Sequence, residues 1–395
     1  MKSLLISGMY FPPQVGGISQ YMASVAKFLG SHEVCCLTGV RAEKESGGGK
    51  NNLEQKLQPR VYRRPRAFSR AMAIQGAALA TTLAEIMVRE RPQVVQLGSV
   101  AEGYMGLHLK RWLGLPYVVY AHGNEILASD GENWQKPKLS LLRANRILCN
   151  SRFTAELVSQ LGVAPEKNVV LHPGCDTERF RPRETTDQIR QQLLGEHWKR
   201  KVILTVGNLV ERKGHDTVIQ ALPTVLKQVP DAVYLIVGHG ARRAELEVLA
   251  SELGVRGQVI LAGLCSDQQL PEVYALGDVF VMASRARLES CDVEGFGLVF
   301  LEAGATGKPV IAGRSGGIPD AVVHGETGYL VDPSDPGEVA KYLIQVLQDR
   351  SLAANLGRNG RERVLREFTW ERFAHRLSNV LSSVVDEHLR EKRKP

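Results

Sequence analysis

The sequence predicts an α/β protein built as two doubly wound halves, each around a parallel sheet. Three observations predict it. Short apolar runs alternate with stretches of helical periodicity along nearly the whole chain. Glycine-rich loops fall where those runs end. A polar stretch across 174–186, punctuated by Gly174 and Pro182, separates one alternating series from a second. Alternation of this kind implies parallel strands joined by crossover helices. Such sheets bind ligands at the carboxyl ends of their strands.

In the first series, Leu4–Ile6 is a buried strand, followed by the loop Gly8–Gly17 and a helix over Ile18–Leu29. That loop either sets phosphate on the helix start near Gly16 and Gly17 or is a tight structural turn. The three-glycine spacing of a dinucleotide fingerprint is absent. Val34–Thr38 is the next strand. Residues 41–58 read as a surface loop, and Gly47-Gly-Gly-Lys50 is followed by Asn51, so it is no P-loop. Arg60, Arg63, Arg64, Arg66 and Arg70 form a basic cluster. It is either a surface for anionic lipid or acceptor phosphate, or a solvated face. No nucleic-acid-binding motif accompanies it. A helix over 71–90, the strand Val94–Leu97 and a helix over 102–113 precede the strand Tyr117–Ala121. That strand delivers His122 to its carboxyl end, where the imidazole either contacts substrate or is structural. The strand Ile147–Cys149, a helix capped at Asn150-Ser151 and running to Leu161, and the strand Val169–Leu171 complete this half.

The second series has strands at 202–206, 232–237, 259–261, 279–282 and 309–312, with helices over 215–228 and 241–253. The loop 207–214 carries Arg212 and Lys213 at a strand end, where cations can neutralise a diphosphate or simply stand exposed. Gly238-His-Gly240 lacks the third glycine of a nicotinamide site. Ser315-Gly-Gly-Ile-Pro319 either shapes a pocket or connects two elements. Trp370 opens a terminal helix, and a disordered tail is expected over Arg390–Pro395. The richest stretch is Glu289–Glu302. Glu294 precedes Gly295 and Gly297, an apolar helical run follows, and Glu302 lies eight positions on. Carboxylates that accept from hydroxyls, beside helix-start amides that hold phosphate, describe a sugar-nucleotide pocket. The alternative is a helix capped by Glu294 with Glu302 on a solvated face.

The chain of 395 residues is long enough for two domains, and 44% hydrophobic with 23% charged residues is ordinary for a globular protein. A net charge of +8 favours an anionic partner. Six cysteines without metal spacing are expected as reduced thiols in a cytosolic protein. The apolar run at the start is too short for a signal peptide, and no run approaches the roughly 18 apolar residues of a membrane span.

On these residues the chain resembles the retaining, nucleotide-sugar-dependent glycosyltransferases of family four. The strongest element is Glu294-x7-Glu302 within Glu-Gly-Phe-Gly-Leu-x-x-Leu-Glu-Ala. Supporting elements are Phe11-Pro-Pro-x-x-Gly-Gly-Ile18, His122-Gly, Pro173-Gly-x-Asp176, Gly207-x-Leu-Val-x-x-Lys-Gly214 and Ser315-Gly-Gly-Ile-Pro319. The resemblance implies the GT-B fold: two Rossmann-like domains facing across a cleft. Residues 1–180 would bind acceptor and 187–369 the nucleotide sugar. A helix over 370–390 would pack back on the first domain.

The resemblance also implies roles. Gly16 and Gly17 lie near the donor diphosphate, Lys213 contacts its phosphates, and His122 lies beside the transferred sugar. Glu294 holds sugar hydroxyls, Glu302 holds the ribose, and Gly295, Phe296, Gly297, Leu298 and Val299 line the donor site. The family has arginine where this chain has Asn208, and Arg212 is the candidate replacement. His122, Lys213 and Glu294 are the expected catalytic set, with no metal and no cofactor. The Phe-Pro-Pro loop and Asp292-Val-Glu-Gly look most like bacterial phosphatidylinositol mannosyltransferases that use GDP-mannose. The expectation is hexose transfer to a lipid-linked or glycan acceptor, in the cytoplasm or on the inner face of the membrane. A UDP-sugar donor, an epimerase, a sugar-phosphate synthase and a non-catalytic sugar-nucleotide binder are the alternatives.

Overall fold

The structure, a computed structural model, describes residues 1–8, 10–12, 14, 16–30, 33–39, 59–64, 72–128 and 134–393. The chain divides into two units, residues 1–173 with the terminal segment from Trp370, and residues 174–369.

The first unit holds seven strands: β1 (Ser3–Ser7), β2 (Val34–Gly39), β3 (Val61–Arg64), β4 (Val94–Leu97), β5 (Tyr117–Ala121), β6 (Arg146–Cys149) and β7 (Asn168–Val170). They pair in parallel in the order β3-β2-β1-β4-β5-β6-β7. Helices on both faces explain why the central strands are apolar at successive positions. Leu4 and Ile6 of β1 enter one core with Val95 and Tyr117, while Leu5 enters the other with Val94 and Val118.

The helix Trp370–Lys392 completes this second core. Trp370, Phe373, Leu377, Leu381 and Val384 recur at helical spacing and pack with Leu5, Met22 and Val25. The helix runs past Arg390, where the sequence predicted disorder. Glu387 pairs with Arg146 at 2.5 Å, and Lys392 Nζ reaches the Gly114 carbonyl at 3.4 Å. These contacts hold the last turns in place.

β3 was hidden in the basic cluster. It is an edge strand, aligned with Val61 opposite Cys36 of β2. Arg63 Nη2 donates to the Pro12 carbonyl at 3.0 Å, and Arg60 pairs with Glu90 at 3.3 Å. Two members of the cluster are therefore committed to the protein itself. Arg66, Arg70 and residues 41–58 lie outside the described residues, as does the side chain of Arg64.

The second unit holds β8 (Lys201–Val206), β9 (Ala232–Val237), β10 (Val259–Gly263), β11 (Val279–Met282), β12 (Val310–Gly313) and β13 (Gly328–Val331), in the order β10-β9-β8-β11-β12-β13. The division falls after Pro173 rather than near residue 180. Phe180 is 1% exposed and meets Tyr274 edge-on at 5.5 Å, and the Cys175 amide donates to the Phe368 carbonyl at 2.7 Å. Burial of Phe180 ties residues 174–180 to this unit. In each sheet the winding reverses beside the first strand, between β1 and β4 and between β8 and β11. Loops leaving those strand ends border the crevice where doubly wound sheets take ligands.

Candidate active site

In the second unit, the loop after β8 supplies Arg212 and Lys213, and the loop after β11 supplies Asp292 and Glu294. The four side chains meet at the reversal point. Lys213 Nζ lies 2.6 Å from Glu294 Oε2, and Arg212 Nη1 donates to the same oxygen. Arg212 Nε donates to Asp292 Oδ1 at 2.7 Å. Burial raises the Glu294 carboxyl, but Lys213 and Arg212 together outweigh it and hold the pKa below the ordinary range. Burial lowers the Lys213 ammonium; Glu294 opposes that shift and Arg212 adds to it, leaving the pKa below its usual value. Two cations and two carboxylates balance in charge, so an anionic ligand can take Lys213 and Arg212 as partners only by exchange with Glu294 and Asp292.

The backbone around this network is locked. Gly214 takes φ +68°, and a Cβ there would lie 1.9 Å from the Ala283 carbonyl oxygen, so the two loops touch only because it is glycine. Arg285 donates through Nη2 to Asp216 at 2.6 Å, and its own amide donates to the Arg212 carbonyl at 2.9 Å. The Ser315–Pro319 turn is a brace. The Gly317 amide donates to the Glu294 carbonyl at 2.9 Å, and a Cβ on Gly316 would come within 2.4 Å of that oxygen.

Glu302 lies in the helix Leu298–Ala305, whose start is capped by Gly297. It is 6% exposed, and the Tyr274 hydroxyl donates to its Oε2 at 2.5 Å. This overturns the alternative of Glu294 as a cap and Glu302 on a solvated face. No side chain caps the helix, and Glu302 faces inward. Phe296 is buried with its ring 5.9 Å from Phe368, and Val299 packs against the same core, so these two side chains pack beneath the loop. Leu298 and Gly295 are half-buried. Asn208 turns its carbonyl to His215 Nε2 at 3.0 Å. Burial pushes the His215 imidazole down to about 4.

His122, Gly16 and Gly17 lie in the first unit. His122 follows β5, is 6% exposed, and sits with Nε2 2.8 Å from the Gly98 carbonyl. A carbonyl only accepts, so this contact places a proton on Nε2. The His122 amide donates to Glu125 at 2.6 Å, and Tyr21 meets the ring edge-on at 5.7 Å. Gly16 precedes the helix Gly17–Leu29, and no side chain caps its start. A Cβ on either glycine would meet nothing within 4 Å among the described residues.

Tyr274 and Arg285 were not singled out from the sequence, and Asp292 entered only as the first residue of a motif, with no role of its own. Asp292 carried a signal, standing two residues from Glu294 on the same loop. Tyr274 and Arg285 carried none, because folding alone brings them to Glu302 and Asp216.

HepE from Anabaena, solved with UDP, superposes with a TM-score of 0.79 at 24% identity over 97% of this chain and all of that one. Sucrose-phosphate synthase from Thermosynechococcus elongatus superposes with 0.76 at 22% identity over 98% of this chain and all of that one. The architecture is that of the GT-B glycosyltransferases. Residues 186–363 match the family model for glycosyl transferases group 1, and residues 15–179 match that for Glycosyltransferase Family 4. A GDP-mannose-dependent alpha-(1-6)-phosphatidylinositol monomannoside mannosyltransferase of Mycobacterium tuberculosis is 32% identical over 96% of this chain and 98% of its own length. A monoacylated-substrate counterpart from Corynebacterium glutamicum is 31% identical over 97% and 98%. The chain belongs to glycosyltransferase family 4 and is a glycosyltransferase.

Proposed function

We propose that this enzyme transfers mannose from GDP-mannose to a hydroxyl of a lipid-linked or glycan acceptor, with retention at the anomeric carbon and without a metal ion. The observation that carries the reading is the convergence of Lys213 and Arg212 on Glu294 at the reversal point of the second sheet. The activities of the mycobacterial and corynebacterial relatives, both GDP-mannose-dependent mannosyltransferases by name, support the donor sugar and its base.

In this mechanism the donor diphosphate takes Lys213 and Arg212 as its counter-charges, in exchange for part of their pairing with Glu294 and Asp292. Glu294, relieved of part of its pairing, accepts from sugar hydroxyls. Glu302, oriented by Tyr274, accepts from the ribose. As the bond from anomeric carbon to phosphate oxygen breaks, the two cations stabilise the growing negative charge. The acceptor oxygen attacks the same face, and its proton passes to the departing phosphate. The cation pair supplies the charge that a divalent ion would otherwise bring.

Thermal unfolding with GDP, UDP and ADP, each in EDTA, tests the reading. A nucleotide at about 100 times its dissociation constant adds about 2.7 kcal/mol, which moves a domain of roughly 200 residues by about 5–10 °C. GDP alone is expected to shift the transition. A shift with UDP alone removes the mannose assignment, a shift only on adding magnesium removes metal independence, and no shift removes the donor site.

A further inference from the structure

The carboxyl end of the helix Gly103–Leu113 sets exposed apolar side chains among cations. Trp112 is 72% exposed and Leu113 47% exposed. The indole lies against His108, with ring centroids 4.8 Å apart, which spreads it on the surface rather than into the core. The two residues before it are Lys110 and Arg111. This helix and its neighbour Gln135–Arg143 carry Lys110, Arg111, Lys136, Lys138 and Arg143 and no carboxylate. Lys110 Nζ donates to the Arg143 carbonyl at 3.1 Å, which puts the two helix ends side by side. Lys392 reaches Gly114 at 3.4 Å, so the terminal helix brings its basic end to the same place. Among the described residues, Glu391 faces Lys110 and Glu387 is bound to Arg146.

Helix dipoles explain part of this pattern. Cations favour helix carboxyl ends, and Lys110 and Lys392 serve that purpose. The dipole does not call for an exposed indole and leucine among those cations. That combination is the chemistry of an interfacial anchor: an amphipathic ring at headgroup depth, with positive side chains toward lipid phosphate. No described helix is long and apolar enough to cross a membrane, so such an anchor would lie in the interface plane. Of the basic cluster expected from the sequence to serve this purpose, Arg60 and Arg63 are engaged by Glu90 and the Pro12 carbonyl.

We propose that the end of the helix Gly103–Leu113 docks the first unit on an anionic lipid surface, Trp112 and Leu113 entering the headgroup layer and Arg111 and Arg143 facing lipid phosphates, while Lys110 and Lys392 tie the helix ends together. The inference goes beyond the transfer reaction and needs neither donor nor acceptor to be tested.

The full chain is sedimented with vesicles of phosphatidylcholine alone and of phosphatidylcholine mixed with phosphatidylglycerol. Binding to the mixed vesicles alone is expected. Trp112→Ala and Arg111→Glu are each expected to lower partitioning about tenfold or more, with unchanged circular dichroism because both side chains are exposed. The emission difference between the parent and Trp112→Phe is expected to shift blue on mixed vesicles and to be quenched by brominated lipid. Donor turnover in the absence of vesicles stays at the parental value in Trp112→Ala, so failure here is distinct from failure of the transfer reading. The proposal is overturned if the parent ignores anionic vesicles, or if both variants bind as the parent does. It is also overturned if RNA competes binding away and the Trp112 emission never shifts, which would mark a general polyanion surface.

Discussion

Replacing Lys213 by alanine separates the two jobs of the cation network. The Lys213 and Glu294 side chains are 11% and 14% exposed and meet at 2.6 Å. Stranding a buried charge by deleting its partner costs about 3–5 kcal/mol. Here Glu294 is not stranded, because Arg212 still donates to the same oxygen. The loss is therefore closer to that of one charged hydrogen bond, about 1.5–3 kcal/mol. A domain with roughly 5–15 kcal/mol in hand stays folded. Turnover should suffer more. Removing one preorganised donor to a developing anion costs about 100- to 1000-fold in kcat. The assay pairs released GDP with urea midpoints, for Lys213→Ala and for the double variant Lys213→Ala/Glu294→Gln. The double variant should recover stability, since no excess carboxylate remains, and should recover no turnover. A kcat for Lys213→Ala within about tenfold of the parent would refute the assignment. So would a kcat that returns together with stability in the double variant.

Two further outcomes follow from the same contacts. His215 is held neutral, at about 4 against an ordinary 6.5, so the unfolded chain binds a proton first as pH falls. The stability this contributes is complete above 6.5 and fades down to 4. The gap between the parent and His215→Gln should narrow by about 3 kcal/mol between pH 7 and pH 4 in urea titrations, and parallel curves would count against it. Leu377 is fully buried among Leu5, Met22 and Val25, so Leu377→Ala should cost about 2–5 kcal/mol. Hydrogen exchange should show the loss in the first unit's strands and spare β8 and β9.

The strands of both sheets were legible where an apolar run was long and flanked by glycine. Tyr117–Ala121, Ala232–Val237 and Val279–Met282 match the reading residue for residue. β3 was not, because Val61-Tyr-Arg-Arg is an edge strand whose arginines mask its pairing, and β13, the edge strand of the other sheet, begins on a glycine and holds only three apolar residues. Glu294, Lys213 and Arg212 could be named because glycine loops at strand ends mark where ligands approach. Their mutual pairing could not, since more than 80 positions separate Arg212 from Glu294. The inward turn of Glu302 was equally hidden, because nothing local marks Tyr274 as its partner.

The first unit is closed by a helix that is made only after the whole of the second unit. Residues 174–369 emerge from the ribosome between the strand-bearing segment and Trp370–Lys392. At about 5–20 residues per second, that interval is roughly 10–40 s. Throughout it, the groove formed by Leu5, Met22, Val25 and Val118 lacks the helix that covers it in the finished protein. The second unit carries all of its own strands and can finish first. Biosynthesis therefore runs against the order of the gene. The nascent first half is the species that chaperones must shield, and a premature stop before Trp370 would leave its sheet open on one face while the second unit stands complete.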